Sequence, residues 1–279
     1  MHLLSWNVQW FLGIDGRVDV ARVIRHAQQV CDFDVLCLQE VAVHFPGLEG
    51  DADFDQVGTL AELLPGYEII FGPALNQSTG RPGPREQFGN LVASRLPVQS
   101  AENHLLPLVP LPGIAQARRA CLAVQLQTPN GPLMVMTSHL AYHAAAQRES
   151  QAAAMLAIYR EYAQQAATPA LDGQGIFRPI ARSASAIVCG DFNCEAASAA
   201  YQALLEPAGA FCDAHKLAHP HTAKVPTFGC FDTRYTPMPI ACDHILVTPD
   251  LAPHVVDLQV DVQTRLSDHQ PVFMKWLPQ

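Results

Sequence analysis

Short apolar runs that break off into polar residues recur along this chain, and they constrain its fold more than any other feature. The sharpest is Ala186-Ile187-Val188-Cys189, which ends in Gly190 and then presents Asp191, Phe192 and Asn193. The run is short and β-branched and reads as a buried strand. Gly190 permits a close or strained backbone at the strand end. Asp191 and Asn193 are two apart, so on an extended chain they point the same way, with Phe192 turned back into the core. Residues 3–8 form a similar run with Asn7 near its end, and 34–38 run straight into Gln39-Glu40. A strand over 133–137 ends in Ser138-His139-Leu140. Asp243 opens the strand 244–247, and Ser267-Asp268-His269-Gln270 precedes the strand 271–276.

Between the first two strands, residues 18–30 place Val20, Val23, Ile24, Ala27 and Val30 near helical spacing. Strand, helix, strand favours a parallel or mixed sheet. Further strands are predicted over 67–71, 90–94, 98–105, 120–127 and 255–262, and helices over 56–64, 144–166 and 198–205. Pro129-Asn130-Gly131-Pro132 marks a hairpin turn. The helix over 144–166 carries Met155, Ile158, Tyr159 and Tyr162 as its buried stripe. The stretches 44–55, with Glu49, Asp51, Asp53 and Asp55, and 76–87 read as surface loops, and 211–239 as loop with short structure. No repeat of fixed period and no low-complexity linker interrupts the 279 residues, so a single domain over 1–279 is expected.

Composition narrows the class. No apolar run reaches the roughly 18 residues of a membrane-spanning helix, and the first residues lack the basic and apolar regions of a signal peptide. A cytoplasmic monomer without stable membrane association is the expectation. The eight cysteines form no CxxC pair, and Cys37, Cys121, Cys189 and Cys242 lie in or beside apolar runs, as reduced buried thiols do. A net charge of −9 disfavours tight non-specific binding to nucleic acid. It does not exclude a nuclease, because bound cations reverse the local field of a carboxylate-rich site. His215, His219 and His221 read as solvated loop histidines.

The residues at the strand ends suggest a chemistry. Asn, Glu and Asp are all-oxygen ligands suited to a hard cation, Mg²⁺ or Mn²⁺. Such a cation polarises a phosphoryl oxygen and stabilises a leaving oxyanion. Asp191 could orient or deprotonate an attacking water. Asn193 and His139 could donate to phosphoryl oxygens as charge builds. His269 with Asp243 makes a carboxylate–imidazole pair that fixes the tautomer and favours the charged ring.

The motifs Ser5-Trp6-Asn7, Leu38-Gln39-Glu40, Ser138-His139-Leu140, Gly190-Asp191-Phe192-Asn193, Asp243-His244-Ile245 and Ser267-Asp268-His269-Gln270-Pro271-Val272 span nearly the whole chain. In this order they resemble the endonuclease/exonuclease/phosphatase superfamily. The resemblance implies an α/β four-layer sandwich, two mixed β-sheets face to face with helices on the outer faces. It implies Mg²⁺ near Asn7, Glu40 and Asp268. It places Asp191 and Asn193 at the nucleophile, His139 at the phosphoryl oxygens, and Asp243 behind His269. Arg119 resembles the family arginine that approaches the substrate phosphate, with Arg118 as its rival. Arg148 and Gln151 match an Arg-x-x-Gln pattern of many members; a surface ion pair of Arg148 with Glu149 or Glu161 is the equal alternative. His244 stands where many members carry Tyr.

The resulting expectation is a Mg²⁺-dependent phosphodiesterase, first as a DNA nuclease or DNA-end processing enzyme. Arg81, Arg85, Arg118 and Arg119 near rim loops, with Trp10 and Phe11 available for base stacking, favour nucleic acid. The acidic total and the absence of a long basic stripe stand against it. The alternative substrate is a small-molecule or lipid phosphoester. An inactive binding module is the least favoured class, because every core position of the motif set is filled.

Overall fold

The computed structural model describes residues 1–50, 52–80, 82–170, 173–207 and 209–277. Arg81 and Asp51, both named above, lie outside the described residues. The strands are β1 (His2–Asn7), β2 (Val35–Val43), β3 (Glu68–Gln77), β4 (Glu86–Ser94), β5 (Val98–Leu105), β6 (Ala120–Thr128), β7 (Gly131–His139), β8 (Ala186–Asp191), β9 (Cys212–Asp213), β10 (Asp243–Val247), β11 (Val255–Val260) and β12 (Val272–Trp276). They form two six-stranded sheets, in the orders β11-β12-β1-β2-β4-β3 and β5-β6-β7-β8-β10-β9.

The sheets pack face to face through Leu3, Val35, Cys37, Val124, Val135, Ile187, Cys189, Ile245 and Met274. On the outer face of the first sheet, α1 (Val20–Val30) and α2 (Gln56–Leu63) bury Val23, Ile24 and Leu60 against Leu4, Trp6 and Leu36. On the outer face of the second, α3 (Ala145–Ala167) and α4 (Ala199–Gln202) bury Met155, Tyr162 and Tyr201 against Met134, Met136 and Val188. The short α5 (Ala214–Ala218) packs beside β11. The result is a mixed-sheet, four-layer α/β sandwich.

Strand direction explains where the polar strand ends collect. Each sheet has one parallel pair near its centre, β1 with β2 and β7 with β8, and the other pairs are antiparallel. The C-terminal ends of β1, β2, β7 and β8 therefore share an edge with the N-terminal ends of β10 and β12. Asp243 sits opposite Asp191, and His139 opposite Asp191 on the other side. Gly190 is required where β7 and β8 approach. Its φ is +133°, and a Cβ there would lie 2.0 Å from the Ser138 carbonyl oxygen.

Several local expectations change for physical reasons. β2 does not stop at residue 38 but continues to Val43 across a bulge opposite β4. α4 is shorter than predicted, because the Leu204 and Leu205 carbonyls accept from Ala210 and Gly209 as the chain turns. The acidic loop is partly structural. Asp55 caps α2 by accepting from the Gly58 N–H at 2.9 Å, and Glu49 pairs with Arg234 at 3.4 Å. Nor are all the loop histidines solvated: His215 is buried in α5, and His219 Nε2 lies 2.8 Å from the Leu258 carbonyl oxygen. The four cysteines in apolar runs are buried and free.

Candidate active site

At the shared edge lies a cleft of about 230 Å³, lined by Gln9, Trp10, Glu40, Arg119, His139, Tyr142, Asp191, Asn193, Phe228, Tyr235, Asp268 and His269. Its walls are made by strained backbone. Among the described residues, six non-glycine positions have positive φ, and Gln9 (45°), Trp10 (44°), Glu40 (62°) and Asn193 (50°) line this cleft. Such conformations cost of order 1–3 kcal/mol each and persist where surrounding structure over-determines them. At Glu40 the cause is the β2 bulge. Cys37 faces the other sheet and Leu38 the helices, so strict alternation would send residue 40 outward. The bulge re-aims its carboxylate into the cleft. Gln39, fully buried, donates instead to Thr137 Oγ1 across the sheets at 2.9 Å.

Asp191 is the hub. Its Oδ1 accepts from the Asn193 backbone N–H at 2.8 Å and its Oδ2 from Asn7 Nδ2 at 3.0 Å. That Oδ2 also lies 3.2 Å from His139 Nε2 and 3.5 Å from His269 Nε2. Asn7 Nδ2 further donates to Glu40 Oε1 at 3.2 Å, while its amide oxygen accepts from the Gln9 N–H. Asn7 thus bridges two carboxylates through its NH₂.

The two histidines differ in charge. Arg119 Nη1 donates to His139 Nδ1 at 3.0 Å, and Asn193 Nδ2 lies 2.8 Å from His139 Nε2. A guanidinium can only donate, so Nδ1 accepts and the ring is neutral; the proton on Nε2 faces the Asp191 Oδ2 at 3.2 Å, and the Asn193 NH₂ donates to the Leu140 carbonyl at 2.9 Å rather than to the ring. Burial, and then the Arg119 charge, hold this imidazole well below the usual histidine range. His269 Nδ1 lies 2.8 Å from Asp243 Oδ2, and its ring stacks on Phe228 with centroids 4.5 Å apart. Burial opposes its charge, but the Asp243 and Asp191 carboxylates overcome it and raise the ring well above its ordinary value. Its backbone is fixed by Trp6, whose indole N–H donates to the His269 carbonyl, and by Ser267 Oγ.

Carboxylates crowd the other wall. Burial and then Asp268 push Glu40 up to about 7. Burial likewise raises Asp268. Ligand atoms of Asp191, Cys242, Asp243 and His269 lie within 4.8 Å of one another and make one possible metal site among the described residues. Cys242 and Asp243 stand behind the cleft rather than in its lining.

The structure brings together Asn7, Glu40, Arg119, His139, Asp191, Asn193, Asp243, Asp268 and His269. Between the rival arginines, Arg119 lines the cleft and Arg118 is exposed outside its lining. Arg148 goes elsewhere: its Nη1 donates to the Ala141 and Tyr142 carbonyls at 2.9 and 2.7 Å, neither reaching the cleft nor pairing with Glu149 or Glu161. Phe11 is fully buried, so it offers no stacking surface, whereas Trp10 does line the cleft. Tyr142, Phe228 and Tyr235 are lining residues that the sequence did not single out. They lie in loops, where no periodicity marks a facing side chain. Tyr142 Oη donates to the Tyr235 carbonyl at 2.5 Å and joins two rim loops.

Comparison with known proteins decides the family. A family model described as the Endonuclease/Exonuclease/phosphatase family matches residues 4–269. The chain belongs to this family. Endonuclease/exonuclease/phosphatase proteins are metal-dependent phosphoesterases, and this member carries the buried acidic and histidine cluster of a hydrolase. Solved structures share its fold. An endonuclease/exonuclease/phosphatase from Beutenbergia cavernae has a TM-score of 0.71 at 24% identity, over 98% of this chain and 70% of that one. A mannosyl-6-phosphatase from Bacteroides thetaiotaomicron has a TM-score of 0.68 at 21% identity, over 99% of each chain. A humanized D. rerio TDP2 has a TM-score of 0.68 at 19% identity, over 100% of this chain and 99% of that one. No curated protein gives a significant sequence match. Among the described residues, no helix is long and apolar enough to cross a membrane.

Proposed function

We propose that residues 1–279 form one endonuclease/exonuclease/phosphatase domain that hydrolyses phosphodiesters by water attack with Mg²⁺, or Mn²⁺ in its place. The observation that carries this reading is the shared Asp191 carboxylate, held by Asn7 and Asn193 between a neutral and a cationic histidine. Glu40 and Asp268 would hold the cation. Both face the cleft as oxygen donors, and burial raises both, as expected of crowded carboxylates that a cation would relieve. Cys242 in the alternative cluster is a soft ligand unsuited to Mg²⁺. Asn7 would join only with its amide turned over, since its oxygen faces the Gln9 N–H. The cation would supply positive charge against a phosphoryl oxygen and the leaving oxyanion.

The chain's own groups would do the rest. Asp191 orients the water and takes its proton. Arg119 binds the phosphate by a charge-assisted contact. His139 and Asn193 donate to its oxygens without adding charge. His269, kept protonated by Asp243, stabilises the developing negative charge.

Nucleic acid is the first substrate class, supported by Trp10 at the cleft rim, an aromatic face on which a base would stack. The alternative is a compact phosphoester: among the described rim arginines, Arg85 is held to Asn76 (2.6 and 2.7 Å), which leaves Arg118 as the exposed one not held in this way. The test is a hydrolysis panel with Mg²⁺ over single- and double-stranded DNA, abasic duplex, 5′-tyrosyl DNA, sphingomyelin, p-nitrophenyl phosphate and bis-p-nitrophenyl phosphate, with Glu40→Ala as blank. Metal-dependent turnover of a diester above the blank is expected. Turnover that survives exhaustive chelation, or equals the blank, would sink the proposal.

A further inference from the structure

A second cavity of about 220 Å³ adjoins the cleft, and its walls are largely hydrocarbon: Leu108, Ile114, Ala115, Ala117, Ala141 and Ala144. It shares Arg119 and Tyr142 with the cleft. A phosphate held by Arg119 thus has the carboxylate wall on one side and this apolar chamber on the other. We propose that the chamber is a subsite for an uncharged, compact hydrocarbon arm of the substrate, a single aryl ring or short alkyl chain esterified to the phosphate. The subsite rests on the phosphodiesterase reading above and, within it, favours the compact phosphoester over nucleic acid.

The glutamine amides and the Tyr142 hydroxyl around the chamber are already engaged. Gln147, almost fully buried, accepts from the Val109 N–H at 2.9 Å and donates to the Pro107 carbonyl at 2.7 Å. Gln116 Nε2 donates to the Val109 carbonyl at 2.7 Å. Their amides therefore face backbone and offer little to a sugar hydroxyl or a base edge. His143 adds a ring packed edge-on to Tyr142, with centroids 4.9 Å apart. Arg119, the shared phosphate contact, is the one arginine of the lining, which holds no lysine, aspartate or glutamate among the described residues.

Hydrogen bonds from α3 tie the frame together at Pro107, Val109 and Ala141. Gln151 accepts from the Ala141 N–H at 2.9 Å and donates to the Pro107 carbonyl at 3.2 Å. Arg148 holds the next two carbonyls. The Arg-x-x-Gln pattern therefore positions the walls of the chamber rather than touching phosphate. Ligand pockets for drug-sized molecules run from roughly 300 to 1,000 Å³, so a chamber of about 220 Å³ takes one ring, not a polymer.

The experiment compares kcat/KM for three p-nitrophenyl phosphodiesters with the same leaving group and a methyl, phenyl or thymidine-5′-yl second arm. Calorimetry of phenyl phosphate against inorganic phosphate reads the chamber without turnover. The phenyl diester is expected to exceed the methyl diester by at least about tenfold, the scale of one fitted apolar group, and to exceed the thymidine diester. Phenyl phosphate is expected to bind at least about tenfold tighter than phosphate. In Ile114→Asp, which puts a charge on an exposed part of the wall, and in Ala144→Leu, which fills it, both ratios should fall toward one. Equal rates for phenyl and methyl arms, preference for the thymidine arm, or ratios unchanged in both variants would overturn the subsite while leaving the hydrolase intact. No turnover of any diester would overturn the hydrolase reading, and equal binding of phenyl phosphate and phosphate would then dispose of the subsite separately.

Discussion

Asp243 and His244 are neighbours on β10, yet they face opposite sides of the sheet and live in opposite electrostatic settings. Toward the cleft, Asp243 meets His269 in a group of four carboxylates, Glu40, Asp191, Asp243 and Asp268, against two cations, Arg119 and His269. Toward the outer layer, His244 Nδ1 lies 3.0 Å from Lys224 Nζ, and that ammonium pairs with Asp213 at 3.2 Å and Tyr201 Oη at 3.0 Å. Burial and then Lys224 push His244 down to about 3. Both histidines are almost fully buried. Burial opposes the charged form of both rings alike, so the sign of the nearest charges sets the difference between them. The outer cluster closes on itself, one carboxylate to one ammonium. The cleft keeps carboxylates in excess, and that excess is what a divalent cation would balance.

The contrast can be broken most severely at the cleft. His269→Ala is expected to lower kcat by about a thousandfold, within the range of acid–base and charge-stabilising groups, while thermal unfolding shows the fold retained. Near-normal turnover would remove His269 from the site. Lys224→Met should do the converse. It leaves Asp213 buried without its partner and costs about 3 kcal/mol of stability by denaturant titration, with kcat within twofold of wild type. Glu40→Gln sharpens the difference further. Glu40 is raised from 4.5 to about 7, so the folded metal-free protein holds this proton more tightly than the unfolded chain. Stability at this group is therefore full at low pH and lost as pH rises from 4.5 to about 7. The Gln variant should stabilise the metal-free protein at pH 8 by up to about 3 kcal/mol, with little gain at pH 5, while hydrolysis disappears. Smallest, Arg119→Lys should reduce kcat/KM by about tenfold, since an ammonium keeps the charge but not the planar fork; an unchanged value would mean that Arg119 does not contact the phosphate.

Strand ends were legible because their signal is local. An apolar run that stops at Asn7, His139 or Asp191 announces both the strand and what it presents, and chain order supplied the rest of the cluster. Direction and strain were not legible. Trp10 and Phe11 look interchangeable in sequence, yet consecutive left-handed residues over 9–11 put one at the rim and the other in the core. The bulge at Glu40 defies alternation, so its carboxylate could be placed by motif but not by period. Arg148 was ambiguous because its partners are backbone carbonyls seven and six residues back, invisible to any pairing of charges. β9 is two residues long and carries no pattern at all.

The most direct measurement of the central claim is calorimetric titration of Mg²⁺ into the wild-type protein and Glu40→Gln across pH 5 to 8. The wild type should bind one or more ions saturably at pH 8, with affinity falling below about pH 7 as protons compete at Glu40, and the variant should bind far more weakly at every pH. Equal binding by the two proteins, or affinity in the wild type that does not change with pH, would contradict a cation held by the carboxylate excess of the cleft.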